Sequence, residues 1–301
     1  MLRHIRGASK HELKNLLAFL KDLTRTIFHS QRYRSTVRPN RMVVLDWKHR
    51  TRCCFPGEIH VWRIELDLEP LAYSVVEAVL SPDERRRAKC FIRDDLRRRW
   101  TVAHGALRMI LAAYTGTPPG CLVFETGPWG KPKLKGTASR IGFNLSHTGH
   151  LALIAISSEH AVGIDAETIR PNLDWRELSE RFFASAEANE IKSLAPEIRI
   201  AAFFACWTRK EAFIKAIGRG LSMPLDSFRV TVRPDLPPRL VWLEGNQREP
   251  DKWSFEDISE SGVAAAVAVR DHSPSIHRYT FSASDQLLLT PRNGIVVRPS
   301  D

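Results

Sequence analysis

Three short stretches of this 301-residue chain carry side chains from which a reaction centre could be built. In Val162-Gly163-Ile164-Asp165-Ala166-Glu167, two carboxylates stand two residues apart. On a strand both would point to one face, an arrangement suited to holding a hard divalent cation through oxygen. Two acids at a strand end are more often simply solvated, so the pair alone decides nothing. In Cys206-Trp207-Thr208-Arg209-Lys210-Glu211-Ala212-Phe213-Ile214-Lys215, helical spacing sets Glu211 and Lys215 one turn apart. The ordinary outcome is a surface ion pair contributing roughly a few tenths of a kcal/mol. The chemical alternative makes Glu211 a third metal ligand and Lys215 the counter-charge of a phosphate beside it. Gly218-Arg219-Gly220-Leu221 then closes the helix and leaves room for a ligand to come close. The third stretch, Phe143-Asn144-Leu145-Ser146-His147-Thr148-Gly149, runs a strand into a turn bearing two hydroxyls and an imidazole.

Two further features are softer. Gly127-Pro128-Trp129-Gly130-Lys131-Pro132 reads as a rigid turn presenting one lysine, which would ordinarily be solvated. Residues 85–99 hold eight basic side chains (Arg85, Arg86, Arg87, Lys89, Arg93, Arg97, Arg98, Arg99) against Asp94 and Asp95. That density suits a polyanion, although an exposed helical face is the commoner explanation.

The elements that must position these residues follow from periodicity and punctuation. The alternation in His60-Val61-Trp62-Arg63-Ile64-Glu65-Leu66 predicts a strand. Ser81-Pro82-Asp83-Glu84 has an N-cap serine, a first-turn proline and acids, so it predicts a helix start. A long helix including Leu96 to Tyr114 ends at Gly116. Strands are predicted over 141–145, 151–156 and 161–165, then helices over 174–183, 185–194 and 196–217, then strands over 228–232, 239–243, 253–257 and 263–269. Helices followed by strands thus occur twice, which predicts an α+β chain of two similar halves, 58–160 and 161–270. A basic extension, 1–57, precedes them and a Ser-, Pro- and Arg-rich tail, 271–301, follows.

Charge is concentrated in that extension. Residues 1–53 carry thirteen Lys/Arg against three acids, a net of +10 out of +11 for the chain, so the remainder is nearly neutral. One amphipathic helix, Lys10 to Phe28, is predicted there, within a segment read as a mobile addition; a docking helix for a membrane surface, nucleic acid or partner, or an organelle transit peptide, is the alternative. No stretch reaches the roughly 20 apolar residues of a membrane span, and there is no secretory signal pattern, so a cytoplasmic protein is expected. The five cysteines form no C-x-x-C pair and are odd in number, which predicts reduced, structural thiols.

The order and spacing of G-x-x-G-K-P, F-N-L-S-H-T, V-G-I-D-x-E and W-T-x-K-E-A-x-x-K-x-x-G-x-G-L resemble the 4'-phosphopantetheinyl transferase superfamily, in its larger single-chain, surfactin-synthetase-activating type, over about residues 58–270. The resemblance implies an α+β fold of two subdomains related by a pseudo-twofold axis, with coenzyme A bound between them. It implies Asp165, Glu167 and Glu211 as magnesium (Mg2+) ligands and Lys215 as the pyrophosphate-binding lysine. Ser146 and His147 match phosphate-contacting positions, and Lys131 with Pro132 matches the turn beside the adenine and 3'-phosphate. Arg85, Arg87 and Arg99 are the members of the basic cluster expected to meet phosphate. The implied reaction moves 4'-phosphopantetheine from coenzyme A to a serine of an apo acyl or peptidyl carrier protein and releases adenosine 3',5'-bisphosphate. Glu211 directly, or Glu167 through a water, would take the serine proton. The long extension and Ala166, where a larger apolar residue is usual, depart from the family pattern, and neither removes a ligand.

Two rival functions follow from other features. A nucleic-acid-binding protein would explain the basic charge but none of the acids; no nucleic-acid partner is expected. A degenerate coenzyme A binder would not need the full set Asp165, Glu167, Glu211 and Lys215. Because two internal halves can complete a site, a monomer is expected.

Overall fold

The computed structural model describes residues 54–136, 140–159 and 161–283, all within one compact unit. The amphipathic helix expected over Lys10 to Phe28 lies outside the described residues. Among those residues the chain forms eleven strands and six α-helices, an α+β fold.

The first strand, β1 (Glu58–Glu65), sends Ile59 and Val61 to one face and Trp62 and Ile64 to the other, and all four are buried. Both faces are covered, so the amphipathic alternation of its sequence does not mark a half-exposed strand. Helix α1 (Pro70–Ala78) comes next. Helix α2 (Pro82–Lys89) starts where the sequence predicts: Ser81 Oγ accepts from the Glu84 N–H, and the Glu84 carboxylate accepts from the Ser81 N–H. Helix α3 (Asp94–Thr115) stops at Gly116, which adopts the left-handed φ of 67°. A hairpin of β2 (Phe124–Thr126) and β3 (Pro132–Leu134) turns through Gly127–Lys131, where the Gly127 N–H donates to the Lys131 carbonyl at 2.9 Å.

Next come β4 (Gly142–Thr148), β5 (Leu151–Ser157) and β6 (Val162–Thr168). Helices α4 (Trp175–Phe182), α5 (Ser185–Ser193) and α6 (Pro196–Ile217) follow. The strands β7 (Phe228–Val230), β8 (Leu240–Leu243), β9 (Ser254–Asp257), β10 (Val263–Val269) and β11 (Ser275–Phe281) complete the fold.

Two sheets organise the core. One has the order β11-β1-β5-β4, with β11 parallel to β1 and the other pairs antiparallel; the other is β6-β10-β9, all antiparallel. Alternation assigns each face a partner. Trp62, Ile64, Ala152, Ile154 and Ile156 pack with α1 and α3 through Val76, Val102, Ala106 and Ile110. Ile59, Val61, Leu151 and Leu153 pack instead against Val162, Ile164, Ala166, Ala265 and Val267 of the second sheet. The odd-numbered residues of β6, Gly163, Asp165 and Glu167, are therefore left for the opposite face, against which α6 lies.

Two expectations need correction. The segment from Asp271, expected as a tail, folds back as β11 and pairs with β1 from Ser275↔Glu58 to Phe281↔Ile64. As an outer strand its residues are mostly exposed, so it carries no strong apolar pattern; its strand character comes from the pairing with β1. Of the four described cysteines, all free thiols, Cys206 is buried and Cys54 half-buried, but Cys90 and Cys121 are exposed and not core residues. Helix α6 has no single apolar side: residues 202–210 are all buried, charged Arg209 and Lys210 included. No described helix is long and apolar enough to cross a membrane.

Candidate active site

The site is built where β4, β6 and α6 meet. Although β4 and β6 belong to different sheets, three β4 side chains at period two are bonded to β6 main chain. Asn144 Oδ1 accepts from the Ile164 N–H at 2.8 Å, Ser146 Oγ from Ala166 at 3.3 Å, and Thr148 Oγ1 from Thr168 at 3.0 Å. The Asn-x-Ser-x-Thr alternation of the F-N-L-S-H-T stretch is thus a polar seam that fixes β6 relative to β4.

Gly163 brings α6 onto the other face of β6. A Cβ at this position would overlap the Ala212 carbonyl oxygen and the Ala216 nitrogen and would lie 3.0 Å from Ala216 Cα. Only glycine permits this approach. It carries Glu211 and Lys215, each one residue before a contact point, to the carboxylates of β6.

The resulting cluster is tightly connected. Lys215 Nζ lies 2.5 Å from Asp165 Oδ1 and donates to Ser146 Oγ at 3.2 Å, while Ser146 donates to Asp165 Oδ1 at 3.0 Å. The one-turn neighbours Glu211 and Lys215 do not form the expected surface pair, because the ammonium reaches across to β6. Asp165 is 3% exposed and Glu167 8% exposed, so these acids are not the solvated strand end that composition allowed. Asp165 Oδ2 and Glu211 Oε1 are buried with no hydrogen-bond partner. Buried carboxylate oxygens without donors are costly, and a divalent cation is the group whose chemistry fits them. Three carboxylates supply only oxygen donors, the set a hard cation such as magnesium takes.

Electrostatics reflect this crowding. Burial, with the charge of Asp165, pushes Glu167 up to about 8, against the opposing pull of Lys215 and Arg170. Burial and Asp165 likewise push Glu211 up to about 7. Burial opposes the charge of Lys215, but Asp165 and Glu211 outweigh it and hold the ammonium above its ordinary range.

The remaining sequence-predicted residues divide. His147, on the α3-facing side of β4, is depressed below the usual imidazole range by burial and by Lys215. Near it stands His104 of α3, stacked on Trp100 with ring centroids 3.9 Å apart and pushed down to about 3 by burial, with His147, Arg87 and Arg108 adding to the effect. Arg87 is the arginine of the basic cluster whose charge reaches this wall. Arg85 donates to the Ala78 carbonyl at 2.7 Å, and Arg99 is forked onto Asp67 with both bonds at 2.7 Å. Neither contact ties these two to the carboxylate cluster.

Lys131 is not a freely solvated turn lysine. Its Nζ donates to the carbonyls of Val162 at 2.8 Å and Ala216 at 3.2 Å, capping the last turn of α6, and burial pushes it down to about 8. Pro132 is exposed and opens β3.

Several positioning residues are not evident from the sequence. Lys210, inside the W-T-x-K-E-A motif, is fully buried; it pairs with Glu187 at 2.7 Å and donates to the Leu225 and Phe228 carbonyls. Glu187 also accepts from the Val230 N–H at 2.8 Å and the Ala184 N–H at 3.0 Å, so this ion pair anchors α6 to α5 and β7. Arg108 pairs with Glu84 at 2.5 Å and thereby sets α2, with Arg87, against α3. Gly163 and the Asn144/Ser146/Thr148 seam had signals in the sequence, a glycine inside a strand and a period of two; Lys210 had only its place in the motif, which does not reveal its burial, and Arg108 had none.

Comparison with known proteins gives the family. The family model described as the 4'-phosphopantetheinyl transferase superfamily matches residues 161–268, which contain Asp165, Glu167, Glu211 and Lys215. The 4'-phosphopantetheinyl transferase HetI of a Nostoc species is 39% identical over 215 residues, covering 70% of this chain and 87% of that protein. The 4'-phosphopantetheinyl transferase Sfp of Bacillus subtilis is 30% identical over 156 residues, 52% of this chain and 68% of its own. The 4'-phosphopantetheinyl transferase AcpT of Salmonella typhimurium is 42% identical over 92 residues, 31% of this chain and 47% of its own. With a strand-borne acid pair, a helix-borne Glu and Lys brought to it by Gly163, and relatives of this kind along most of its described length, the chain belongs to the 4'-phosphopantetheinyl transferase superfamily of enzymes.

Proposed function

We propose that the chain transfers the 4'-phosphopantetheine group of coenzyme A to a serine of an apo acyl or peptidyl carrier protein, with magnesium as its metal. The observation that carries this reading is the pair of unpartnered buried oxygens, Asp165 Oδ2 and Glu211 Oε1, beside Glu167 and Lys215. Asp165, Glu167 and Glu211 would hold the ion. When bound, magnesium supplies positive charge that offsets the pyrophosphate of coenzyme A.

The chain's own residues do the rest. Lys215, held protonated by Asp165 and Glu211, would neutralise a non-bridging oxygen of the same anion. His147 donates one N–H to phosphate, with Ser146 fixed behind it. Lys131 and Pro132 border the nucleotide end, and Arg87 adds positive charge beside His104; Arg85 and Arg99 are at the outer margin. The carrier serine oxygen attacks the β-phosphorus as the bond from that phosphorus to the bridging oxygen breaks. Adenosine 3',5'-bisphosphate departs with that oxygen, and the serine proton passes to Glu211 or, through a water, to Glu167. In this reading residues 58–160 contribute Ser146 and His147, residues 161–270 contribute the acids and Lys215, and a cytoplasmic monomer suffices.

The test is mass spectrometry of purified apo carrier proteins of fatty-acid, polyketide and peptide type after incubation with the chain, coenzyme A and magnesium, with a chelator control. A magnesium-dependent gain of one phosphopantetheine group is expected on at least one carrier. Folded protein that binds coenzyme A but modifies none would overturn the proposal.

A further inference from the structure

A second cluster of donor atoms lies at the other edge of the large sheet from Ser146. Glu58 and His60 share a face of β1, and His277 of β11 is the register partner of His60. His60 Nε2 is 3.3 Å from Glu58 Oε2, and His277 Nε2 is 3.8 Å from Glu58 Oε1. Cys54, which precedes β1 by one turn, brings Sγ within 4.8 Å of the donor atoms of both Glu58 and His60.

We propose that Cys54, Glu58, His60 and His277 form a binding site for a thiophilic divalent transition metal, zinc by donor preference. One thiolate, one carboxylate and two imidazoles make the four-ligand S/O/N set that zinc takes tetrahedrally, and the all-oxygen cluster at Asp165 offers no comparable donors.

The surroundings are arranged as such ligands require. His60 Nδ1 is 2.6 Å from the Tyr114 hydroxyl, which also accepts from Trp62 Nε1 at 3.0 Å. With Nδ1 held at that hydroxyl, as a metal-bound imidazole's outer nitrogen commonly is held by a polar partner, the ring turns Nε2 toward Glu58. Glu58 Oε2 accepts from the Phe55 N–H at 2.9 Å, and the Glu58 N–H returns a bond to the Phe55 carbonyl at 3.0 Å. This turn holds Cys54 beside the carboxylate. The His60 and His277 rings meet edge to face with centroids 5.5 Å apart.

Burial otherwise pushes the Cys54 thiol up to about 11, so binding costs the release of its proton. The gain is a cross-link: the metal joins the start of β1 to β11, the outer strand of the sheet.

The experiment strips the purified full-length chain with a chelator and titrates it with Co2+ in the presence of excess Mg2+, then with Zn2+. One equivalent of Co2+ should bind with the intense sulfur-to-cobalt charge-transfer absorption of a thiolate ligand, and Zn2+ should displace it. An oxygen-only site cannot give that band. Cys54→Ser should lose the band, and His277→Ala, at a half-exposed position, should weaken binding at least about tenfold. Zinc should raise the thermal midpoint of the wild type and not of Cys54→Ser. Absence of a thiolate band at one equivalent, or a band that survives unchanged in both variants, would overturn the proposal. Neither result depends on transferase activity.

Discussion

Gly163→Ala tests how the site is assembled, because the residue touches no reacting group. The added methyl carbon would overlap Ala212 O and Ala216 N and sit 3.0 Å from Ala216 Cα. Non-bonded carbon atoms settle at about 3.5–4.0 Å, so α6 must back away from β6 by on the order of 1 Å. The atoms in the way are backbone on both sides, so no rotamer change relieves the overlap. Overpacking a filled interior costs about 1–3 kcal/mol, and this case belongs at the upper end. Glu211 retreats with the helix from Asp165, and a displacement of about 1 Å in a reacting constellation can lower turnover by roughly 100-fold. Urea unfolding should show a lower midpoint with an unchanged slope, and carrier modification at saturating magnesium should show the loss in kcat. Gly120→Ala is the control. Its Cβ would approach nothing nearer than the Val79 carbonyl at 4.0 Å, so stability should stay within about 0.5 kcal/mol. A Gly163→Ala protein with wild-type midpoint and turnover would refute the account of α6 docking.

Asp165→Ala should abolish magnesium-dependent modification while the chain remains folded by circular dichroism; full retained activity would show that the metal assignment is wrong. Lys210→Met leaves Glu187 buried and uncompensated and should lower stability by about 3–5 kcal/mol in urea unfolding, with Glu187→Gln in the same chain restoring part of it. Lys131 has a folded pKa of about 8 against an ordinary 10.5. The unfolded chain therefore binds more protons than the folded chain between those values, and stability attributable to this residue rises with pH across that window. Comparing thermal midpoints of the wild type and Lys131→Met from pH 7 to 10.5 should show the gap moving in the wild type's favour; a pH-independent gap would show that the lysine is not desolvated.

The sequence encodes the order and type of most elements, because caps and periodicity are local. Ser81 with Glu84 starts α2, Gly116 ends α3, and the apolar runs at 151–156 and 263–269 become β5 and β10. It also supplied the candidate residues Asp165, Glu167, Glu211 and Lys215, since their chemistry and spacing sit in two short motifs. What those residues face is fixed only by how the elements pack. Whether Lys215 pairs with Glu211 or Asp165, and whether the acids are solvated or buried, depends on how closely α6 approaches β6 across a long stretch of chain. Likewise, pairing with β1 makes residues 275–281 a strand and brings His277 to His60, an encounter that local composition does not encode. The buried Glu187–Lys210 pair is legible only in space, because a charge on a helix reads as exposed until the elements that surround it are assembled.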